Sequence, residues 1–226
     1  MWSRQRLEVS SLKDEVKERI REWILTGELQ PGQRIVETEI ARTFGISQVP
    51  VREALRGLEE EGLVRTIKYK GAYVSDLVLK EIYHTFLLRT QIESNVLNIV
   101  VPRLNNHHFE ELSYIVRQMK ELEDDKSYVI QSGLDIQFHS LIVGWSGIEV
   151  YIRIWNALIG HVRRFITLMH PTYFSENHSI VVSQHEELLS VLKAGDVEAA
   201  KKVFTDHIMC LWNEQGTNWL GQEKFT

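Results

Sequence analysis

Cysteine and long apolar runs are scarce in this chain of 226 residues, and each scarcity excludes a class of protein. The one cysteine, Cys210, excludes an internal disulfide and any metal site built from several thiolates, which is typical of a reducing compartment. No stretch approaches the roughly 18 uninterrupted apolar residues of a membrane helix. The start MWSRQRLEVSS has no apolar segment for secretion. These absences predict a cytoplasmic protein.

Apolar residues make up 43 % of the chain, enough for one good-sized hydrophobic core or two smaller ones. The formal net charge of -5 argues weakly against nucleic-acid binding, but the charge is unevenly distributed. Residues 1–77 contain 13 basic and 13 acidic side chains, whereas the remainder contains 13 and 18. A neutral domain binds DNA when its positive charges share one surface, so the net charge does not decide the matter.

The first 62 residues are predicted to form three helices. Apolar residues recur at helical spacing from Ser11, and this first helix stops near Gly27. A second helix in VETEIARTFG ends at Gly45, and a third follows Ser47, a candidate N-cap. The third helix has one apolar face and one face of long polar side chains, formed by Val51, Leu55 and Leu58 and by Gln48, Arg52 and Arg56 respectively.

A basic hairpin is predicted after these helices, from two β-type runs, LVRTI and AYV, joined by KYKG. Three helices followed by such a hairpin is the order of a winged helix-turn-helix, whose third helix enters the major groove. Gln48 suits adenine, and Arg52 suits guanine or a phosphate. Lys68 and Lys70 at the hairpin tip suit the phosphate backbone or the minor groove. Taken alone, the third helix is more simply interpreted as a solvated surface helix. The order of the elements is what favours DNA binding.

The run ETEIARTFGISQVPVREALRGLEEEGLVR, followed by KGAYV, resembles the winged-helix domain of GntR-family bacterial transcription regulators. The resemblance implies an operator-binding domain over residues 1–76. Our candidate DNA-binding residues are Ser47, Gln48, Arg52, Arg56, Lys68, Lys70 and Gly71. Thr38 stands where the family often has a DNA-contacting arginine, and SQVP replaces the frequent Ser-Arg-Thr-Pro. These departures leave the operator sequence open.

Residues 77–226 have a helical pattern throughout, with breaks near Pro102, Gly144 to Gly147, HPTYFSENH and KAGD. This segment predicts a helical bundle, so the fold class is mainly α. Within it, Asp135 and His139 share a helix face, and His185 and His207 each lie in an apolar stripe. Buried polar groups need partners, and one divalent metal would serve all four. Taken singly, each histidine is more simply a core side chain bonded to a backbone carbonyl.

The same four residues resemble the metal ligands of the FCD-type domain found in FadR-like GntR regulators, over most of residues 78–214. That domain uses an Asp-x-x-x-His pair and two later histidines, which match Asp135, His139, His185 and His207. We expect zinc, although nickel or manganese would also suit these ligands. The resemblance in LLRTQIE suggests that Arg89 binds an effector carboxylate, and an ion pair with Glu93 is the alternative.

These patterns together predict a metabolite-responsive transcription regulator that is not an enzyme. A homodimer would read a two-fold operator, and a small carboxylate would bind at the metal in the helical domain. A metal sensor is one alternative, with the metal itself as the signal. A metal-dependent enzyme with a DNA-binding module is the other, but no acid or base near the ligands has support in the sequence.

Overall fold

A computed structural model describes the backbone of residues 4–122, 128–173 and 178–219, and the side chains of residues 12–122, 128–167 and 180–213. The chain divides into two compact units, Met1–Leu77 and Val78–Thr226, and each contains its own buried apolar cluster. The first unit is a helix-turn-helix with a small β-sheet, and the described part of the second is helical. The predicted fold class, mainly α, is confirmed.

The first unit alternates helices with short strands. In chain order its elements are α1 (Arg4–Leu25), β1 (Arg34–Ile35), α2 (Glu37–Phe44), α3 (Gln48–Glu60), β2 (Val64–Ile67) and β3 (Gly71–Val74). The strands form one antiparallel sheet in the order β1-β3-β2, with Arg34 opposite Tyr73 and Val64 opposite Val74. The predicted hairpin is therefore β2 and β3, and Lys68 and Lys70 lie in its turn.

The amphipathic pattern of α3 fixes how this helix packs. Val51, Leu55 and Leu58 are at most 4 % exposed, whereas Gln48 and Arg52 face solvent. Gly45 ends α2 in the left-handed conformation, with a φ of 66°, and its N–H donates to the carbonyl of Arg42. A residue with a Cβ is strained there, so the glycine permits the sharp turn between α2 and α3.

Three local details differ from the sequence predictions. Helix α1 begins at Arg4 and not at Ser11. Ser47 occupies the N-cap position of α3, but its side chain makes no capping hydrogen bond. Strand β1 (Arg34–Ile35) was not predicted from the sequence. A strand of two residues is too short to show an alternating pattern in the sequence. It is defined only by its pairing with β3.

The second unit consists of helices joined by short connections. In chain order these are α4 (Leu79–Val100), a 3-10 turn (Val101–Arg103), α5 (Asn106–Lys120), α6 (Tyr128–Trp145), α7 (Glu149–Tyr173), α8 (His178–Ala194) and α9 (Val197–Trp219). Asn105 caps α5 by accepting from the N–H of His108, whose ring in turn accepts from the N–H of Asn105. None of the described helices is long and apolar enough to cross a membrane.

Helix α4 is the central element of this bundle and packs against α6, α7 and α9. Most of its apolar side chains are buried, and Val96 and Leu97 are fully so. The same helix also buries Arg89 and Glu93, each 1 % exposed. Charged side chains are rarely so deeply buried without a partner, so Arg89 and Glu93 must be paired with other groups inside the bundle.

Helix α1 is tied to the end of α3 by an ion pair. Nη2 of Arg21 lies 2.7 Å from both carboxylate oxygens of Glu61, and Nζ of Lys17 lies 2.6 Å from one of them. Burial alone would raise the pKa of Glu61, but hydrogen bonds and charge from Arg21 and Lys17 outweigh it and lower that pKa. Since the folded pKa is the lower one, the pair stabilises the fold at neutral pH and loses this contribution in acid.

We predict that Glu61→Gln lowers the free energy of unfolding of the first unit by about 1–3 kcal/mol at pH 7, because it weakens charge-assisted hydrogen bonds. The difference from the wild type should shrink as the pH falls below 4.5, the ordinary pKa of glutamate. Hydrogen exchange of α1 and α3 in the full-length protein measures both effects. Glu60→Gln, at an exposed neighbouring position, is the control. An undiminished difference at about pH 3 would contradict the ion-pair explanation.

Candidate functional site

The polar face of α3 is already organised before any DNA is present. Nε of Arg52 donates to Oε2 of Glu37 at 2.7 Å, and its Nη2 donates to Oε1 of Gln48 at 3.3 Å. Glu37 begins α2, so this ion pair connects the two helices of the helix-turn-helix motif. The sequence analysis missed Glu37, because a contact over fifteen residues has no periodic signal.

All seven predicted DNA-binding residues are exposed in the structure, namely Ser47, Gln48, Arg52, Arg56, Lys68, Lys70 and Gly71. Gly71 has a φ of 101°, a conformation that favours glycine. At the hairpin tip Tyr69 is 95 % exposed and has a positive φ of 65°, and Nζ of Lys68 lies 5.1 Å from the centre of its ring. The turn thus presents one aromatic ring between two cations, a feature that the charge pattern alone did not suggest.

A second cluster lies in the helical unit, where three helices bring together one carboxylate and three imidazoles. Helix α6 contributes Asp135 and His139, α8 contributes His185 and α9 contributes His207. One ligand atom from each of the four lies within 4.8 Å of all the others. The structure therefore brings together the four residues that the sequence predicted as metal ligands.

The shortest contacts in this cluster bring ring nitrogens and a carboxylate oxygen of different side chains close together. Nε2 of His139 lies 3.2 Å from Nε2 of His207. Oδ1 of Asp135 lies 3.3 Å from Nε2 of His185 and 3.7 Å from Nε2 of His207. Three imidazole Nε2 atoms and one carboxylate oxygen thus converge on one point.

Two of the three imidazoles are held by hydrogen bonds on the opposite side of the ring. Nδ1 of His139 donates to Oε2 of Glu93 at 2.6 Å, and Nδ1 of His185 donates to the carbonyl of Val181 at 2.8 Å. A carboxylate and a carbonyl can only accept, so both rings carry their proton on Nδ1. Each therefore turns the lone pair of its Nε2 towards the cluster, as metal-binding histidines do.

The charges around this cluster are arranged in pairs. Nε of Arg89 donates to Oε1 of Glu93 at 2.7 Å, and Nη2 of Arg89 lies 3.9 Å from Oδ2 of Asp135. Burial lowers the pKa of His139, and it lowers the pKa of His207 to about 3. These two imidazoles are therefore neutral at physiological pH and able to bind a metal.

Both buried carboxyl groups remain ionised. Burial alone would raise the pKa of Asp135, but the neighbouring imidazoles and the charge of Arg89 outweigh it and hold that pKa well below its usual value. The pKa of Glu93 is likewise lowered by His139 and Arg89 against the effect of burial. If all three imidazoles are neutral, as metal binding requires, one cation and two anions give this cluster a formal charge of -1.

A cavity of about 40 Å³ lies beside the cluster. Its polar lining comprises Arg89, Gln131, Ser132, Asp135, Gln184 and His207, and its remaining walls are Phe86, Ile166, Val181, Ile208, Cys210 and Leu211. Nη2 of Arg89 has no hydrogen-bond partner within the described part of the chain. The ion pair of Arg89 with Glu93, the alternative named in the sequence analysis, is therefore present, and Arg89 also lines the cavity. Its binding of an effector carboxylate stays a prediction.

Two residues of this site were not recognised as functional in the sequence. Glu93 was considered only as the partner of Arg89, whereas the structure also pairs it with His139. Gln131 is buried and lines the cavity. It precedes Asp135 by four residues, and His139 follows Asp135 by four, so helical spacing alone could have found it.

Comparison with known proteins gives the same division of the chain. Residues 12–74 match the family of bacterial regulatory proteins described as gntR family, and residues 84–209, more than half of the chain, match the FCD domain. The chain belongs to the GntR family of bacterial transcriptional regulators and has an FCD domain. It is therefore a DNA-binding regulator and not an enzyme.

Individual relatives agree with this assignment. The chain is 27 % identical over 202 residues to an uncharacterized HTH-type transcriptional regulator, YdhC, of Bacillus subtilis, covering 86 % of this chain and 84 % of the relative. It is 27 % identical over 214 residues to the gluconate operon transcriptional repressor of Bacillus licheniformis, covering 90 % and 85 %. Among solved structures, E. coli McbR/YncC is 17 % identical, with a TM-score of 0.71 and coverage of 92 % and 98 %, which supports the fold.

We predict that Arg52→Ala weakens operator binding by about 1–3 kcal/mol, because it removes a base or phosphate contact. The probe is an operator selected by the wild type from random DNA, and the measurement is fluorescence anisotropy at fixed salt. Glu37→Gln is the matched control, since it weakens the same ion pair but keeps the arginine. Equal losses in the two variants would mean that Arg52 acts only through that ion pair.

We also predict that replacing Lys68 or Lys70 by alanine weakens binding to selected and random DNA alike, because a phosphate contact carries no sequence information. Each substitution should lower the slope of log affinity against log salt by about one unit. Lys202→Ala, an exposed lysine on α9, is the control. A loss confined to the selected operator would show instead that the hairpin tip reads bases.

Proposed function

We propose that the helical unit binds one divalent metal through Asp135, His139, His185 and His207, and that a small carboxylate effector binds beside it. Effector binding would then control the affinity of the winged-helix unit for its operator. The observation that carries this proposal is the convergence of four ligand atoms within 4.8 Å of one another in the interior of the bundle.

The buried atoms of this cluster fit a metal. Oδ2 of Asp135 and Nε2 of His185 have no hydrogen-bond partner in the part of the chain that the structure describes. Leaving such atoms unpaired costs about 1–3 kcal/mol each, and a metal bound by these residues would offset part of that cost. Three imidazoles and a carboxylate suit zinc best, and nickel or manganese would also be accepted.

The charge of the site favours a singly charged acid as the effector. The cluster has a formal charge of -1 while its imidazoles are neutral, so a divalent metal would bring it to +1. One carboxylate would then make the site neutral, which an apolar interior favours. A bound metal would supply a Lewis-acidic position for one carboxylate oxygen, and Nη2 of Arg89 would supply a charged hydrogen-bond donor.

The remaining parts of the proposal concern assembly and compartment. A helix-turn-helix protein reads a two-fold operator most simply as a homodimer, so we propose that state for this chain. We propose the cytoplasm as its compartment, because a transcription regulator acts on the chromosome. Native mass spectrometry of the protein purified from its source would report bound metal, retained acid and dimer in one measurement. A monomer without bound metal would overturn both the proposed homodimer and the proposed metal site.

A metal-dependent melting experiment tests the metal site. We predict that zinc raises the melting temperature of the chelator-stripped wild type, because a ligand that binds only the folded state stabilises it by mass action. The gain is about 2.7 kcal/mol when free zinc is 100 times the dissociation constant. His207→Ala should lose most of this shift, whereas His107→Ala, an exposed histidine on α5, should keep it.

Melting curves that do not depend on zinc in any of the three proteins would rule out the site. DNA binding that responds to zinc and chelator, with no response to any carboxylate, would replace the effector by the metal as the signal. The protein would then be a metal sensor on the same fold.

A further inference from the structure

The hairpin between β2 and β3 has an unusual residue at its tip. Tyr69 is 95 % exposed, and its backbone has a φ of 65°. Among the residues that the structure describes, it is the only one besides glycines with a positive φ. A bulky side chain is unfavourable in this conformation, whereas glycine adopts it without strain. The presence of a tyrosine here therefore requires an explanation.

The fold of the hairpin does not explain this tyrosine. The N–H of Lys70 donates to the carbonyl of Ile67 at 2.9 Å and closes a tight turn with Tyr69 as its third residue. A positive φ at this position is typical of a type II turn, in which glycine is the usual residue. At 95 % exposure the ring also adds almost nothing to a hydrophobic core. Strained residues of this kind are concentrated at functional sites, so the ring has its purpose outside the fold.

The charges around the ring favour a polyanion as its partner. Lys68 and Lys70 flank Tyr69, and all three side chains are exposed. Arg34, an exposed residue of β1, has its Nε 3.7 Å from the position that a Cβ on Gly71 would occupy, so its guanidinium lies beside the same turn. Three cations around one aromatic ring suit DNA, whose phosphates attract the cations. DNA is also the ligand of the family to which the chain belongs.

The shape and chemistry of the side chain indicate which part of the DNA it contacts. If the lysines on its two sides bind phosphates, the ring lies over a groove between the strands. The minor groove is about 6 Å wide, so it admits a flat ring edge-on but not a helix. Its floor presents only acceptors at an A·T pair, whereas a G·C pair adds the amino group of guanine. A phenolic O–H can donate to the acceptors of the A·T pair.

We propose that Tyr69 enters the minor groove and donates from its hydroxyl to an A·T pair, at a position of the operator that α3 does not read. The lysines beside it bind phosphates and carry no sequence information, so the ring is the residue of the hairpin that selects a base pair. This inference rests on DNA binding by the winged-helix unit. It does not depend on the metal or the carboxylate proposed for the helical unit.

Selection from random DNA with the full-length wild type and with Tyr69→Phe tests the inference. The wild type should enrich an A·T pair at a position where Tyr69→Phe, which keeps the ring but lacks the hydroxyl, enriches none. Three versions of the selected operator are then compared by fluorescence anisotropy, with A·T, G·C or inosine·cytosine at that position. Inosine lacks the amino group of guanine, so its pair has the major groove of G·C and a minor groove like that of A·T.

We expect the wild type to bind the A·T and inosine·cytosine operators about tenfold more tightly than the G·C operator, the usual effect of one mismatched pair. Tyr69→Phe should bind all three equally, and Tyr114→Phe, at an exposed tyrosine of α5, should behave as the wild type.

Tyr69→Gly separates a DNA contact from a structural role. It should also lose the preference, but hydrogen exchange of β2 and β3 should be no faster than in the wild type, because glycine adopts the positive φ without strain. A tyrosine that only holds the hairpin together would give faster exchange in Tyr69→Gly and an unchanged preference in Tyr69→Phe.

Three results would overturn the inference. Equal binding of the three operators by the wild type would mean that the ring reads no base pair. A preference that survives in Tyr69→Phe would mean that the hydroxyl is not the reader. Binding of the inosine·cytosine operator as weakly as the G·C operator would place the preference in the major groove. None of these results affects the proposals for the helical unit, which are tested on its own ligands.

Discussion

Glu93 holds together the charged interior of the helical unit. Its two carboxylate oxygens are divided between Nε of Arg89 and Nδ1 of His139, at 2.7 and 2.6 Å. A buried arginine and a buried carboxylate are each unfavourable alone, by several kcal/mol after relaxation, so neither is tolerated at 1 % exposure without the other. The same contact sets the direction of the His139 ring. One carboxylate therefore pairs with the buried arginine and sets the orientation of the His139 ring.

The two units obtain their functional surfaces in different ways. In the first unit the predicted DNA-binding residues come from one helix and its N-cap and from one hairpin turn, so short stretches of sequence determine most of the predicted surface. In the second unit Asp135 and His207 are 72 positions apart and meet only because α6, α8 and α9 pack in one bundle. A change in helix packing would disperse these ligands without altering any of them.

How much the sequence predicts follows from this difference. The 3.6-residue period of α3 and the breaks between the later helices are local, and they correctly predicted the fold class. The stripes containing His185 and His207 identified which histidines are turned inwards. The pairing of β1 with β3, and the ion pair of Arg52 with Glu37, depend on residues far apart in the chain, so no local pattern contains them. Gln131 is an intermediate case, because its helical spacing was readable but its place in the wall of the cavity was not.

The three imidazoles of the cluster differ in stiffness. His139 and His185 are each fastened at Nδ1, one to Glu93 and one to the carbonyl of Val181, whereas Nδ1 of His207 has no partner among the described residues. Rotation of His139 or His185 would break a buried hydrogen bond on the far side of the ring, a constraint that the structure does not show for His207. Two imidazoles of the cluster are thus fixed in orientation by hydrogen bonds outside it, and the third is not. The orientation of His207, on α9, accordingly depends on its contacts within the cluster.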